Sequence, residues 1–109
     1  MSETVIMLVK TMCGSPAEAQ TIARSLLERR LIACANVLGP AQSVFRWKGR
    51  IETETEYALI MKTQRMHMAQ VRDGILRLHS YELPEVSAWP VTDGSPDYLR
   101  WVAGETALD

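Results

Sequence analysis

The chain has 109 residues, enough for one domain with a core that needs no metal or disulfide to hold it together. Lys and Arg total 12 against 13 Asp and Glu, so a formal net charge of -1 argues against binding to nucleic acid or an anionic membrane. No apolar run approaches the roughly 20 residues of a membrane-spanning helix, and two cysteines cannot build a disulfide framework. We therefore predict a cytoplasmic protein with free thiols.

Two short stretches, Val5–Val9 and Tyr57–Met61, are apolar at every position. A strand that is covered on one face alternates apolar with polar residues, because successive side chains point to opposite faces. These stretches do not alternate, so both faces of each strand need cover. If the helices lie on one face of the sheet, we expect copies of the same chain to close the other face, which predicts an obligate oligomer.

A helix is expected to begin after the first strand, at Pro16. Ser15 is a good N-cap, proline suits the first helical position, and Glu18 would complete a capping box. Apolar residues then recur at steps of three and four, and this pattern predicts a helix that ends near Leu31. The predicted buried face consists of Ala19, Ile22, Ala23, Leu26 and Leu27.

A long, kinked hairpin is predicted next. Its first strand runs from Ile32 to Val37, breaks at Gly39-Pro40, and resumes from Ser43 to Trp47 before a turn at Lys48-Gly49. The return strand, Ile51 to Thr63, is charged in its distal half and apolar in its proximal half. Because it is longer than one small sheet requires, we expect its distal end to leave the sheet and reach a neighbouring subunit.

Three further elements complete the pattern. A second helix is expected from about Arg65 to His79, although Gly74 weakens it by about 1 kcal/mol relative to alanine. Pro84 to Val91 is predicted as a short strand, which Pro90 restricts to a sheet edge or a strand end, and Ser95-Pro96-Asp97 begins a C-terminal helix. This order predicts an α+β, ferredoxin-like split βαβ sandwich in one domain over residues 1–109, with both crossover helices on one sheet face.

Two cysteines are candidate reactive groups. The apolar run around Cys34 favours a small buried thiol that packs as a hydrophobe and is inert. The alternative is a soft ligand for copper, at the strand end next to a cleft between subunits. Cys13 stands beside Gly14 and is expected to lie exposed in a loop, where it is more easily oxidised.

His79 is placed at the expected C-terminus of the second helix. An imidazolium is favoured there by the helix dipole and can bond the last carbonyls, so capping and metal ligation are both open for it. Glu82 and Glu85 follow in a non-helical loop, where imidazole and carboxylates could converge on a divalent cation. Any metal would need further ligands, and we expect an interface between subunits to supply them.

Two other clusters have simpler interpretations. Met66-His67-Met68 suggests a thioether copper site, but the two methionines point about 200° apart on a helix, so Met68 is predicted in the core and His67 on the surface. The return strand carries a row of glutamates beside a basic hairpin tip. We interpret this row as a charge lattice rather than an acid–base pair, because no desolvated pocket is indicated. The glutamates are Glu52, Glu54 and Glu56.

A series of short matches, in order and covering nearly the whole chain, carries a resemblance to a known family. The matches are Glu28–Val37, Phe45–Gly49, Lys62-Thr63, His79–Glu85, Pro90-Val91 and Tyr98–Trp101. In these segments the chain resembles CutA, the divalent-cation tolerance proteins. The resemblance implies a ferredoxin-like fold assembled as a tight homotrimer, similar to PII signalling proteins. It also implies a link to copper and divalent-metal tolerance, with no established catalytic activity.

Three positions depart from the family pattern. Ser80 stands where the family usually has proline, which loosens the turn after His79. Thr11 and Leu78 stand where some members carry a cysteine and a second histidine, both attractive metal ligands. Copper ligation therefore does not carry over from those positions. The metal ligands predicted for this chain are Cys34, His79 and Glu82.

Three functional hypotheses follow. The first is a non-enzymatic cytoplasmic homotrimer that contributes to metal tolerance; it requires no cofactor and binds copper or another divalent cation. The second is a PII-like sensor or scaffold that binds a small molecule or partner protein in clefts between subunits. The third and weaker hypothesis is an enzyme that uses Cys34 or the pair Glu82 and Glu85. The expected partners are copies of the chain and a metal ion, with no nucleic acid and no membrane.

Overall fold

The computed structural model describes residues 4–107, which form four strands and three α-helices. Their order, βαββαβ followed by a C-terminal helix, is the predicted one. No helix in this described part of the chain is long and apolar enough to cross a membrane. The elements are β1 (Ile6–Cys13), α1 (Pro16–Glu28), β2 (Cys34–Trp47), β3 (Arg50–Gln64), a 3₁₀ turn (Arg65–His67), α2 (Met68–Leu78), β4 (Ser87–Pro90) and α3 (Pro96–Glu105).

The four strands form an antiparallel sheet in the order β2-β3-β1-β4. Val9 of β1 pairs with Met61 of β3 and with Ala88 of β4, and both Val9 and Met61 are fully buried in the core shared with α1 and α2. The intervening side chains point to the opposite face, which we call the open face. Both crossover helices therefore cover one face, which confirms the ferredoxin-like sandwich. The open face at the sheet centre consists of Leu8, Lys10, Met12, Ala58, Ile60 and Lys62, all partly buried.

Helix α1 begins as predicted and ends three residues early. The Ser15 hydroxyl accepts a hydrogen bond from the Glu18 amide at 3.1 Å, and Pro16 is the first helical residue. Glu18 does not close the expected capping box, because its carboxylate accepts a hydrogen bond from the Ser80 amide instead. The helix stops at Glu28 because Arg30 adopts a positive φ of 59° and the Leu31 amide bonds back to the Leu26 carbonyl.

Gly74 lies where α2 crosses α1. A Cβ built on Gly74 would lie 2.7 Å from Cδ2 of the fully buried Leu26 and 3.3 Å from Nη1 of Arg29. We expect Gly74→Ala to lower the free energy of unfolding by about 1–3 kcal/mol, because overpacking outweighs the gain in helix propensity of about 1 kcal/mol. Urea unfolding at fixed protein concentration measures the change.

A glycine with open surroundings provides the control for that prediction. A Cβ on Gly104, near the end of α3, would meet nothing within 4 Å. Gly104→Ala is therefore expected to be neutral or to stabilise the protein by up to about 1 kcal/mol. If Gly74→Ala stabilised the protein as much as Gly104→Ala, the close approach of the two helices would not limit this position.

The C-terminal helix is tied to the start of α2 by buried polar contacts. His67, predicted on the surface, is almost fully buried, and its Nε2 lies 2.6 Å from the carbonyl oxygen of Thr106. The Gln64 side-chain amide donates to the Thr106 hydroxyl at 2.8 Å. The surface prediction for His67 was wrong because residues far along the chain cover it. Met68, predicted in the core, is partly buried and packs against the core, whereas Met66 is exposed.

Helix α3 also covers one end of the open face. The Tyr98 hydroxyl lies 3.4 Å from the Cys34 sulfur, and the Lys62 ammonium lies 5.8 Å from the centre of the Tyr98 ring. The expectation that only other copies of the chain could cover this face is thus wrong for its Lys62 end. The Met12 end lies beside a cleft.

The β2–β3 hairpin extends beyond the four-stranded sheet, as predicted. β1 pairs with residues 57–64 of β3, so residues 41–47 and 50–56 form a two-stranded extension, which we call the distal ribbon. Its turn, Lys48-Gly49, has φ angles of 49° and 81°, the left-handed geometry that matches strand twist in tight hairpins. The β2 register shifts between Leu38 and Ala41, at the predicted break.

Candidate functional site

A cleft of about 850 Å³ lies between the distal ribbon and the loop that follows α2. Its floor is the Met12 end of the open face, and its walls come from β2, β3 and the loop. Carboxylates are prominent among the lining residues. The cleft is lined by Lys10, Met12, Phe45, Trp47, Glu52, Glu54, Glu56, Tyr81, Glu82 and Glu85, among others.

The two loop glutamates pair with lysines across the cleft. Glu82 Oε1 lies 3.5 Å from Lys48 Nζ at the hairpin tip, and Glu85 Oε2 lies 3.3 Å from Lys10 Nζ on β1. The Lys48–Glu82 pair is solvent-exposed and the Lys10–Glu85 pair is largely so, and each adds at most a fraction of 1 kcal/mol to stability. The basic tip thus contacts the loop through Lys48. A metal bound at Glu82 would displace an exposed lysine at little energetic cost.

Glu56 is the buried member of the glutamate row. Its Oε2 accepts a hydrogen bond from the Tyr81 hydroxyl at 2.8 Å. Burial and this hydrogen bond raise the pKa of Tyr81 well above its usual value, so the phenol remains a donor at neutral pH. The hydrogen bond between Tyr81 and Glu56 connects the loop after α2 to β3, and both residues line the cleft.

His79 is the C-cap residue of α2, but its imidazole reaches β1 rather than the last carbonyls of the helix. The side chain is fully buried. Nε2 lies 2.8 Å from the Met12 carbonyl oxygen, and Nδ1 accepts a hydrogen bond from the Tyr81 amide at 3.2 Å. Since a carbonyl can only accept, Nε2 carries the proton, and Nδ1 offers the lone pair.

Cys13 is buried, so the prediction that it lies exposed in a loop was wrong. It is the last residue of β1, and it points to the helix-covered face like Val9 and Thr11. Burial, together with the negative charges of Glu18 and Glu56, raises the pKa of the Cys13 thiol to about 11. Continuing the alternation of the first strand four residues past Val9 would have placed Cys13 on the buried face with Val9 and Thr11.

Cys34 is only partly buried, so the prediction of a buried core position for this thiol was wrong. Its sulfur contacts the Tyr98 hydroxyl, and this hydrogen bond raises the pKa of Tyr98 to about 12. Cys34 stands across β3 from Leu8, whereas His79 bonds to Met12, four residues or about 13 Å further along β1. One chain therefore does not bring Cys34 and His79 together, although Glu82 lies in the loop after His79.

The two thiols are expected to react at very different rates. In the native protein at pH 8 we expect alkylation by N-ethylmaleimide of Cys34, because the Cys13 thiol is buried and keeps its proton. Mass spectrometry of tryptic peptides measures the labelling at each cysteine. In denaturant both thiols should react alike. Rapid native labelling of Cys13 would show that the end of β1 is more open than described.

The fold is an α+β sandwich of the ferredoxin-like class, and its site is a cleft rich in carboxylates, with the imidazole of His79 bonded to the cleft residue Tyr81. The model of the CutA1 divalent ion tolerance protein family matches residues 7–105. The chain therefore belongs to this family, which confirms the resemblance seen in the sequence.

Individual relatives agree with this assignment. The divalent-cation tolerance protein CutA of Archaeoglobus fulgidus is 44% identical over 85 residues, which cover 78% of this chain and 82% of the relative. A CutA homolog of Xenopus laevis is 39% identical over 90 residues, but the match covers only 60% of that longer protein and 83% of this chain. The crystal structure of the divalent ion tolerance protein CutA1 from Ehrlichia chaffeensis superposes with a TM-score of 0.91 at 33% identity, covering 98% of this chain and all of that one.

Proposed function

We propose that this chain acts in divalent-cation tolerance as a cytoplasmic homotrimer without enzymatic activity, and that it binds copper-type metals. Membership of the divalent ion tolerance family supports the role in metal tolerance. The observation that carries metal binding is the cleft, because Glu82 and other carboxylates line it and Glu82 lies in the loop that follows His79. Two unpaired cysteines support a reducing compartment.

Assembly with copies of the chain is supported by the distal ribbon. An isolated two-stranded ribbon is marginally stable in water, so this one needs a surface to pack against. Val44 and Ile51, on one face of the ribbon, are 66% and 70% exposed. Leu38, Trp89 and Trp101 are also exposed, and such apolar surface is typical of an interface.

Cys34, His79 and Glu82 are the proposed metal ligands. Thiolate, imidazole and carboxylate together suit copper chemically. Because Cys34 lies far from His79 within one chain, a site that uses both must combine residues of two chains. His79 would contribute Nδ1. Its lone pair accepts a hydrogen bond from the Tyr81 amide, and the metal would replace that bond.

The second candidate is a PII-like sensor or scaffold that binds a small molecule or partner protein in the cleft. The volume of about 850 Å³ and the aromatic walls formed by Phe45 and Trp47 favour it. An enzymatic role has less support. Within residues 4–107, Glu82 and Glu85 are each paired with a lysine, and the Cys34 sulfur contacts the Tyr98 hydroxyl.

Copper titration tests the proposed ligands. Anaerobic titration against a chromogenic competitor should show weaker copper(I) binding in Cys34→Ser and weaker copper(II) binding in Glu82→Gln, each on the order of tenfold, because each loses one ligand. Glu28→Gln, which removes an exposed carboxylate from α1, is the matched control and should leave the affinity unchanged. If neither Cys34→Ser nor Glu82→Gln weakened binding, these residues would not be ligands.

A further inference from the structure

The end of β1 gathers three different metal-binding side chains from distant parts of the sequence. Cys13 comes from β1, Glu18 from the first turn of α1, and His79 from the end of α2. One sulfur, one carboxylate oxygen and one ring nitrogen of these residues all lie within 4.8 Å of one another. Cys13 and Glu18 are not among the copper ligands proposed above.

His79 is already oriented as a metal-ligating histidine. In protein metal sites, the ring nitrogen that does not bind the metal usually donates to a carbonyl or carboxylate, which fixes the tautomer. Here Nε2–H donates to the Met12 carbonyl. Nδ1 lies 3.9 Å from Glu18 Oε1, and its lone pair accepts the hydrogen bond from the Tyr81 amide, which a metal ion would replace.

Glu18 places a carboxylate oxygen, which has no hydrogen-bond partner in the described part of the chain, near Nδ1 of His79. Its Oε2 accepts from the Ser80 amide at 3.2 Å, which holds the group in place. Its Oε1 is buried and has no hydrogen-bond partner among residues 4–107. A buried oxygen without a partner is destabilising, and a bound cation would satisfy it. Within the same residues, no lysine or arginine forms an ion pair with Glu18.

We propose that Cys13, Glu18 and His79 form a binding site for a zinc-class divalent cation within each chain. The inference rests on the proposed role in binding divalent cations and assigns that role a site without Cys34. Both sites would use the Nδ1 lone pair of His79, so one chain holds a metal at only one of them. Ligand atoms around tetrahedral zinc lie about 3.3–3.6 Å apart. The distances between the three ligand atoms would therefore shorten by roughly 1 Å on binding. Three protein ligands leave a fourth position for water, which suits reversible binding.

The charges and protons of this binding step balance. The Cys13 thiol loses its proton to solvent as sulfur binds the cation, and the Tyr81 amide gives up its bond to Nδ1. One thiolate and one carboxylate, with a neutral imidazole, then match the charge of the cation. Glu56, whose negative charge also raises the pKa of the Cys13 thiol, adds a further negative charge nearby.

Cobalt(II) binding to the assembled protein tests the inference, because cobalt substitutes for zinc and reports a bound thiolate by charge-transfer absorption in the near ultraviolet. We expect one cobalt per chain in the wild type, displaced by zinc. Cys13→Ala should abolish the charge-transfer band. Glu18→Gln, which keeps the shape of the side chain, should weaken binding on the order of tenfold, while Glu28→Gln on the same helix should have no effect.

The Cys34→Ser variant separates this inference from the proposed function. Cobalt absorption that survives in Cys34→Ser supports the Cys13 site. Absorption that is lost in Cys34→Ser but retained in Cys13→Ala overturns it and leaves the Cys34 proposal standing. A wild type that binds copper but shows no thiolate–cobalt band also overturns it, and a wild type that binds neither metal refutes both. Circular dichroism checks that each variant is folded, and Glu18→Gln tests the site independently of Cys13.

Discussion

Replacing Val44 and Ile51 by lysine together is expected to convert the assembled protein into monomers. The two side chains are 66% and 70% exposed and lie on the same face of the distal ribbon. In the proposed trimer they are buried against another chain, where two ammonium groups without partners cannot be accommodated. Sedimentation velocity over a dilution range should show the mass fall to one third.

The control for this experiment adds the same charge elsewhere. Gln20 and Gln70 are exposed on α1 and α2, so Gln20→Lys with Gln70→Lys should leave the mass unchanged. A ribbon variant that sediments like this control would show that the ribbon does not form the interface. A wild type that stays a folded monomer at all concentrations would remove the trimer from the proposal.

The second large effect is expected at His67. His67→Ala should lower the free energy of unfolding by about 2–4 kcal/mol, because it leaves a cavity and removes the shorter of two hydrogen bonds to the Thr106 carbonyl, the other being from Gln64. The imidazole is almost fully buried, and its Nε2 lies 2.6 Å from that oxygen. Denaturant unfolding at fixed protein concentration measures the loss.

Met66, next to His67 in the sequence, provides the control for this prediction. Met66 is exposed, and Met66→Ala should change the free energy of unfolding by less than about 0.5 kcal/mol. Equal effects at the two positions would mean that His67 does not anchor α3. The contrast also tests the Met66-His67-Met68 motif, which the structure divides between surface and interior.

Local patterns in the sequence predicted the elements correctly where neighbouring residues determine them. Ser15 and Pro16 start α1 by a hydrogen bond and a dihedral preference that act within one turn. The Lys48-Gly49 turn forms because a tight hairpin needs left-handed residues there. The unbroken apolar character of Tyr57–Met61 reflects a central strand, whose side chains need cover on both faces.

The errors occurred where burial depends on distant residues. His67 is covered by Thr106, 39 residues away, and Cys34 meets Tyr98, 64 residues away. Glu18 has the spacing of a capping box, but the Ser80 amide competes for its carboxylate. No local pattern signals these contacts, because the side chains meet only after the sheet and helices have packed.

The sequence by itself determined the order of the elements, the class of the fold and the family, since periodicity, caps, turns and motifs are encoded within short segments. Only the tertiary structure decided which candidate groups share a site. It separated Cys34 from His79 along β1, and it brought Cys13 and Glu18 to the imidazole. The physical reason is that a metal or ligand site depends on distances of a few ångströms between side chains, and packing sets those distances only when the whole core has formed.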